Sequence, residues 1–380
     1  MNLIEFGSIA HIKKGKKPLR QIDHPQDGYL PYVDIEAFET GNVKTYADGE
    51  KCLPCKTGEI LIVCDGSRSG FVGRAIDGYV GSTLAIISAD GMSTDYLYYF
   101  LQGKYALLNT KKKGTGTPHL DQQILFQQKL IVPSLEEQEK IVARIEELFS
   151  ELDNGVETLR KAKQQLAVYR QAVYASVYGT DDLRPITDFF DISGGLTKNS
   201  KRHELPIKMP YLRVANVYYN ELDLSEIKYI GVTENEVERT LLRNDDLLFV
   251  EGNGSKEQIG RVAIWDGSVE NCLHQNHLIK GRPVSGMLSQ YALYYLISRY
   301  GRKQILDVAS STSGLYTLST NKVRNLKIPY VDIEQQKTCI ETIEARISVC
   351  DSIEKTVDTA LQQAEAMRQS ILKQAFEGKL

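Results

Sequence analysis

No stretch of this 380-residue chain approaches the ~20 consecutive apolar residues that a membrane helix requires. Met1 to Glu5 hold an acid where a secretory leader would be basic. No membrane partner and a cytoplasmic location are therefore expected. Cysteine is sparse: six residues at irregular spacing form no disulfide framework and are expected to stay thiols in a reducing compartment. Positive charge is not in excess either. With 46 Lys and Arg against 49 Asp and Glu, the net charge is -3 and the pI near 6.1, which excludes the nucleic-acid binders that work by overall charge. Any polyanion has to be held by local clusters.

Catalytic motifs are missing as well. Gly252-Asn253-Gly254-Ser255-Lys256 lacks the spacer of a phosphate-binding loop, and Gly114-Thr115-Gly116 follows no strand. Cys52 and Cys55, with Cys64 nearby, have no fourth ligand at zinc-finger spacing and no counterpart in the second half of the chain. His274 and His277 form an H-x2-H pair better read as ordinary surface or core histidines than as ligands. Asp65 and Asp245-Asp246 do not recur as carboxylate pairs, and no Gly-x-Ser-x-Gly elbow occurs. No catalytic residue, no metal site and no cofactor held by this chain are expected.

What the chain does contain is itself, twice. Ile9, Ile12 and Gly15 match Phe189, Ile192 and Gly195 at an offset of 180, and Pro31-Tyr32-Val33 matches Pro210-Tyr211-Leu212 at 179. Glu59 to Val63 matches Asp246 to Val250 at 187, as does Gly73-Arg74 with Gly260-Arg261. Leu97 to Phe100 matches Leu293 to Leu296 at 196, as do Leu130 and Pro133 with Leu326 and Pro329. Glu137-Gln138 answers Glu334-Gln335, and Arg170-Gln171 answers Arg368-Gln369. Order is kept while loops vary, so a domain and a helix have been duplicated.

Within each copy the texture changes at a proline. Residues 1–134 and 180–330 hold short apolar or alternating runs, at Ile60 to Cys64, Leu84 to Ser88, Leu247 to Val250 and Val262 to Trp265, with helices expected at Thr94 to Gln102 and Leu288 to Ser298. Beyond Pro133, residues 135–179 carry Ile145, Leu152, Leu159, Leu166 and Val173 every seven positions, with Ile141, Leu148, Ala162 and Tyr169 on the adjacent row. Residues 331–380 repeat this with Ile343, Cys350, Val357, Ala364 and Ile371. Each stripe persists for about forty residues, beyond the ~11 to 12 of an average helix. The expected fold class is α+β: two repeated mixed α/β domains separated by two long helices that pair as an antiparallel coiled coil with pseudo-twofold symmetry.

Polar and basic clusters fall at corresponding places in the two copies. The first has Lys13, Lys14, Lys16 and Lys17, then Ser67, Arg68 and Ser69, then Lys111, Lys112 and Lys113 leading into Thr115, Thr117 and His119. The second has Lys198, Lys201 and Arg202, then Asn253, Ser255 and Lys256, then Ser310, Ser311, Thr312 and Ser313. Lys and Arg neutralise phosphates while Arg, Asn, Ser and Thr read base edges, so the mixture suits sequence-specific binding of double-stranded DNA. Any one cluster is more readily an ordinary solvated face; three in register with the repeat shift that weighting toward binding.

These residues resemble the DNA specificity subunits of type I restriction-modification systems. The resemblance spans essentially the whole chain. It rests on Leu130-Ile131-Val132-Pro133 with Glu137-Gln138, its echo Leu326-Lys327-Ile328-Pro329 with Glu334-Gln335, the closing run from Arg368 to Gly378, and the strand motifs Gly58 to Leu61 and Asp245 to Leu248. It implies two target-recognition domains, each reading half of a bipartite site, and helices that set the spacing. It also implies partners: two modification (methyltransferase) subunits and restriction subunits, which would hold the S-adenosylmethionine, ATP and magnesium. The rival expectation is a non-catalytic coiled-coil interaction scaffold without sequence-specific DNA binding; a more remote one is a metal enzyme built on Cys52, Cys55 and Cys64.

Overall fold

Two runs that are apolar at every position, Ile60–Val63 and Leu247–Val250, are buried on both faces. Such a strand has to lie inside a sheet covered on both sides. The computed structural model, which describes residues 3–111, 118–312 and 314–380, and of Ser311 and Thr312 the backbone only, places each in a four-stranded antiparallel sheet. The chain divides into two units, residues 1–160 with 358–380, and residues 161–357.

In the first unit the sheet order is Ala10–Lys14, Leu84–Ala89, Ile60–Val63, Val72–Arg74. Ile60 and Ile62 face a core shared with Phe6, Leu97 and Phe100, whereas Leu61 and Val63 face a second core with Val33, Val80 and Leu84. This is the period-2 alternation of a strand put to use on both sides, and each such side chain contributes about 1.5–3 kcal/mol by burial. A second sheet of five short strands includes one parallel pair, Leu30–Val33 beside Gly78–Val80. Ile4–Glu5 pairs with Lys129–Leu130, so the unit's β domain closes where it begins.

The second unit repeats the frame. Its sheet order is Phe190–Gly194, Leu278–Pro283, Leu247–Val250, Val262–Ile264. Leu247 and Phe249 face one core, Leu248 and Val250 the other. A parallel pair recurs between Ile207–Leu212 and Leu273–His274, and Leu183–Pro185 pairs with Lys327–Pro329. The helices read from the sequence appear at Thr94–Gln102 and Ser289–Ile297. One glycine in each unit is required by close approach: a Cβ on Gly15 would lie 2.3 Å from the Val80 and Gly81 oxygens, and one on Gly195 2.3 Å from the His274 oxygen. The offset of 180 between them therefore has a steric cause.

The long helices run unbroken over Leu135–Ser176 and Ile333–Phe376. Each is fastened by a fully buried glutamine. Gln138 Oε1 accepts from Ser93 N at 2.7 Å, while Nε2 donates to Gly91 O and Pro133 O at 2.7 and 3.0 Å. Gln336 repeats this with Leu288 N at 2.8 Å, Gly286 O at 3.0 Å and Val331 O at 2.9 Å. The offset is thus 198, which corrects two expectations. Gln138 corresponds to Gln336, not to the exposed Gln335. Leu130 and Pro133 correspond to Ile328 and Val331 rather than Leu326 and Pro329, because Ile4 pairs with Leu130 as Arg184 pairs with Ile328. The short helices match at 195 instead of 196, as Gly91 and Gly286 require. The Gly73-Arg74 match also moves: Gly70 and Gly260 each donate to the carbonyl of a central strand, Val63 or Val250, at 2.8 and 3.2 Å, an offset of 190. Residue identity had aligned similar letters; hydrogen bonds align equivalent backbone.

Within the first unit, Ile145 and Phe149 pack with Leu372 and Ala375, Arg368 is paired with Asp153 and lies 4.2 Å over the Phe149 ring, and Phe376 packs on Tyr96 and Phe100. Within the second, Val173 and Tyr174 share a core with Ile343, Arg170 donates to Asp351 at 2.5 Å and Glu354 at 2.7 Å, and Tyr178 packs on Tyr291 and Tyr295. Along the stripe Ile145, Val173, Ile343, Cys350, Val357 and Ala364 are buried, and Leu152, Leu159 and Leu166 are half-buried. Two of its details change. Val142 and Phe149 are buried where Ile141 and Leu148 were expected, and Tyr169 is exposed. The row from Ile343 ends on Leu372 instead of Ile371, because an α-helix regains its facing every 7.2 residues and slips by nearly one position over four heptads.

The H-x2-H pair diverges. His274 is fully buried with Nδ1 donating to Thr240 O at 2.9 Å, whereas His277 is exposed and meets Glu251 at 2.9 Å.

Gln138→Leu and Gln336→Leu each leave one part-buried N–H and two carbonyls without their side-chain partner, and each should lower stability by about 1–3 kcal/mol, while Gln335→Leu stays within about 0.5 kcal/mol; urea unfolding checks all three. Burial, aided by the positive charge of Lys280, pushes the His274 pKa from 6.5 down to about 3. The unfolded chain therefore binds a proton below pH 6.5 that the folded one refuses until about 3, so stability falls as pH drops through that window. His274→Asn, still able to donate to Thr240, should flatten this part of the curve when unfolding is measured at pH 7, 5 and 4.

Candidate nucleic-acid interface

The three clusters of each copy leave the frame at equivalent points. The first follows the edge strand of the four-stranded sheet, the second joins the third and fourth strands, and the third follows the helix Tyr105–Thr110 or Arg299–Val308. In the first copy, Lys14, Lys16 and Lys17 are exposed around the buried Gly15. Lys14 Nζ meets the Asp65 carboxylate at 2.7 Å, and His119 Nδ1 meets its other oxygen at 2.7 Å. Burial opposes ionisation of Asp65, but hydrogen bonds from Lys14 and His119 outweigh it and hold the carboxyl below its usual range. The backbone seals the same junction: Gly66 N donates to Pro118 O and Leu120 N to Cys64 O, at 2.8 and 2.7 Å. All three segments of the first copy thus converge on one carboxylate.

Not every candidate faces solvent. Ser69 is fully buried, its hydroxyl spent on the Cys64, Gly66 and Pro118 carbonyls, so it shapes the loop and cannot touch a ligand. Arg68 pairs with Glu39 at 2.9 Å and lies 4.2 Å over the Phe71 ring, yet remains partly exposed. Ser67 and Lys111 are exposed. Lys112, Lys113, Thr115 and Thr117 lie outside the described residues.

In the second copy Lys198 and Lys201 are exposed at the short helix Ser200–Glu204. Arg202 is not available: its side chain is 11% exposed and donates to Glu236 at 2.7 Å and to the Thr197 and Gly231 carbonyls. That ion pair, led by the Arg202 hydrogen bond, draws the Glu236 pKa down to about 2. Asn253 Oδ1 accepts from Ser255 N at 2.9 Å, Ser255 Oγ donates to Glu257 at 2.7 Å, and Lys256 is exposed. Gly252–Asn253 forms a ladder with Leu315–Thr317, which pairs with Ser310–Thr312. The second and third clusters are therefore joined here by strands. Ser310 Oγ accepts from Lys322 Nζ at 2.6 Å; Ser313 lies outside the described residues.

The sequence carries no local signature for the place of Asp65 in this site or for Tyr229, the latter 69% exposed beside Lys208. Asp65 is 51 and 54 residues from its partners, so no local pattern marks it. Cys52, Cys55 and Cys64 are free thiols; burial raises the last two to about 11, which keeps them protonated and poor ligands. Among the described residues no cluster of three His, Cys, Asp or Glu side chains is arranged to hold a metal ion.

The sequence matches the type I restriction modification DNA specificity domain over residues 1–164 and again over 182–363. The specificity subunit of type I restriction enzyme MjaVIII from Methanocaldococcus jannaschii is 24% identical over 404 residues, covering 100% of this chain and 92% of its own. That of EcoKI from Escherichia coli is 27% identical over 266 residues, 66% of this chain and 57% of its own. Among solved structures, a type I restriction-modification chain studied for complex assembly and conformational transition gives a TM-score of 0.73 at 17% identity, with 100% and 98% of the two chains covered. The HsdS subunit of Thermoanaerobacter tengcongensis gives 0.53 at 17% identity, with 100% and 97% covered. At such identities the likeness of the structures is one of fold, and it agrees with the duplicated frame. With its domain matched twice over nearly the whole length, the chain belongs to the family of type I restriction-modification DNA specificity subunits.

Proposed function

We propose that this DNA-recognition subunit reads a bipartite, asymmetric duplex site, one half-site per copy. The observation that carries this is the pair of four-stranded sheets in one strand order, from which equivalent loops leave with different side chains. A shared frame fixes how each copy meets the groove; unlike loops let the copies read unlike sequences. Of the candidate contacts, Lys14, Lys16, Lys17, Ser67, Arg68, Lys111, Lys198, Lys201, Ser255 and Lys256 keep exposed or half-exposed side chains that suit this role. Family membership disfavours the scaffold alternative.

The long helices are proposed to pair as an antiparallel coiled coil with pseudo-twofold symmetry, which sets the gap between half-sites. Arg170 lies 198 positions before Arg368, as Asp153 does before Asp351, and two of the cross-helix ion pairs are Arg170 to Asp351 and Arg368 to Asp153. Partners exchanged at a single offset are what such a pair would make. The chain is proposed to be non-catalytic, with S-adenosylmethionine, ATP and magnesium held by two modification subunits and by restriction subunits in the cytoplasm. No helix among the described residues is long and apolar enough to cross a membrane.

Arg144, Arg160, Lys163, Arg170 and Arg368 are cations of the long helices that could either dock the modification subunits or only solubilise the pair. Lys163, Arg170 and Arg368 are instead engaged across the helices, with Lys163 3.5 Å from Glu354, and Arg144 pairs with Glu147 on its own helix. Exposed apolar side chains are better suited. Val168 and Tyr169 on the first helix are 72% and 49% exposed, and Met367, 198 positions after Tyr169, is 55% exposed on the second. One such position per helix fits two identical partners.

Three experiments test these readings. Inserting four residues at Gly155, where the helix surface is open, adds ~6 Å of helix, close to two base pairs at ~3.4 Å each; methylation mapping should find both half-sequences kept and the gap longer by one or two base pairs. Replacing residues 180–330 by the corresponding domain of another family member should change one half-sequence and leave the gap alone. Tyr169→Lys with Met367→Lys should weaken association with the modification subunit by roughly tenfold or more, the worth of a buried apolar side chain; sedimentation of the mixed subunits measures it, and undiminished assembly counts against the site.

A further inference from the structure

The junction around Asp65 is built differently in the two copies on one backbone plan. Asp65 and His119 form an isolated antiparallel bridge, and Gly252 and Thr317 are paired in the same way at offsets of 187 and 198. Lys14 corresponds to Gly194 at 180. The second copy therefore keeps the bridge and lacks all three side chains, so the Lys14–Asp65–His119 group is not needed to make the frame.

Its geometry suits a reading role. Asp65 has 18% of its side chain exposed and both oxygens engaged, so it has little left to offer a base, and Lys14 offsets its repulsion of a phosphate. Lys14 and His119 are half exposed, at 50% and 54%. Because Asp65 accepts, His119 Nδ1 donates, and Nε2, which makes no hydrogen bond among the described residues, is the ring atom left for a ligand.

We propose that Asp65 is the positioning residue of the first copy's reading surface, holding His119 with Nε2 toward a base edge and Lys14 toward a phosphate. This rests on the reading that each copy takes one half-site.

The test uses the full subunit assembled with its modification subunits, and measures methylation and binding on duplexes varied one base pair at a time in each half-site. Asp65→Asn should lower discrimination roughly tenfold or more at one or two base pairs of one half-site and leave the other half-site untouched. His119→Ala should lose preference at the same base pairs. Lys14→Met should instead weaken binding to all sequences alike and reduce the salt slope by about one. Asp90→Asn, which removes the exposed Asp90 partner of His11, is the control and should change neither. Asp65→Asn with discrimination intact, or with affinity lowered evenly and base preference unchanged, overturns the inference. Should that variant fail to fold, His119→Ala with unaltered base preference overturns it equally. If the wild-type complex has no bipartite preference, the half-site reading itself fails; a specific wild type with an equally specific Asp65→Asn refutes only the role of Asp65.

Discussion

A side-chain amide buried away from water and bonded at both ends fastens each long helix to its recognition domain. Gln138 and Gln336 sit in the first helical turn and reach back to the turn that opens the short helix of the same domain. Rotating the helix would break three hydrogen bonds at once and strand the amide of a fully buried side chain. The long helices could not impose a spacing if they swivelled at their roots. The rings of Phe376 and Tyr178, each at the far end of one long helix, pack on Tyr96 and Tyr291 of those same short helices, so each domain grips both a helix start and a helix end.

Above these roots the frame resists change because its backbone is close-packed. Gly15 and Gly195 have carbonyl oxygens where a side chain would begin, and the central strands are apolar on both faces. The loops obey weaker constraints. A backbone bridge is indifferent to its side chains, so Asp65 with His119 in one copy and Gly252 with Thr317 in the other satisfy the same hydrogen bonding. Variation is cheap where recognition needs it and costly where geometry must persist.

Much of this was legible in the sequence. Burial of alternating and heptad positions leaves a periodic record, so the duplication, the central strands, the short helices and the long ones could be read with little error. The register was harder. Gln138 was aligned with Gln335 because both are glutamines after a glutamate, while the true counterpart, Gln336, is defined by three hydrogen bonds that no spacing rule contains. Ser69 and Arg202 looked like ligand-facing residues because serine and arginine commonly are, yet both are consumed inside the fold. Asp65 is set aside in the sequence for the opposite reason: it belongs to no recurring carboxylate pair, its partners are distant in sequence, and an acid in a basic loop detracts from DNA binding until its ion pairs are known.

In each copy the strand that opens the domain lies beside the strand that closes it: Ile4–Glu5 against Lys129–Leu130, and Leu183–Pro185 against Lys327–Pro329. Entry and exit are therefore separated by the ~4.8 Å spacing of paired strands. A circularly permuted chain could join them with a short turn and open a loop elsewhere, and the hydrophobic cores would be none the wiser. The polypeptide treats each recognition domain as a bead on a closed loop, and the order in which its strands are synthesised is a matter of history more than of mechanics.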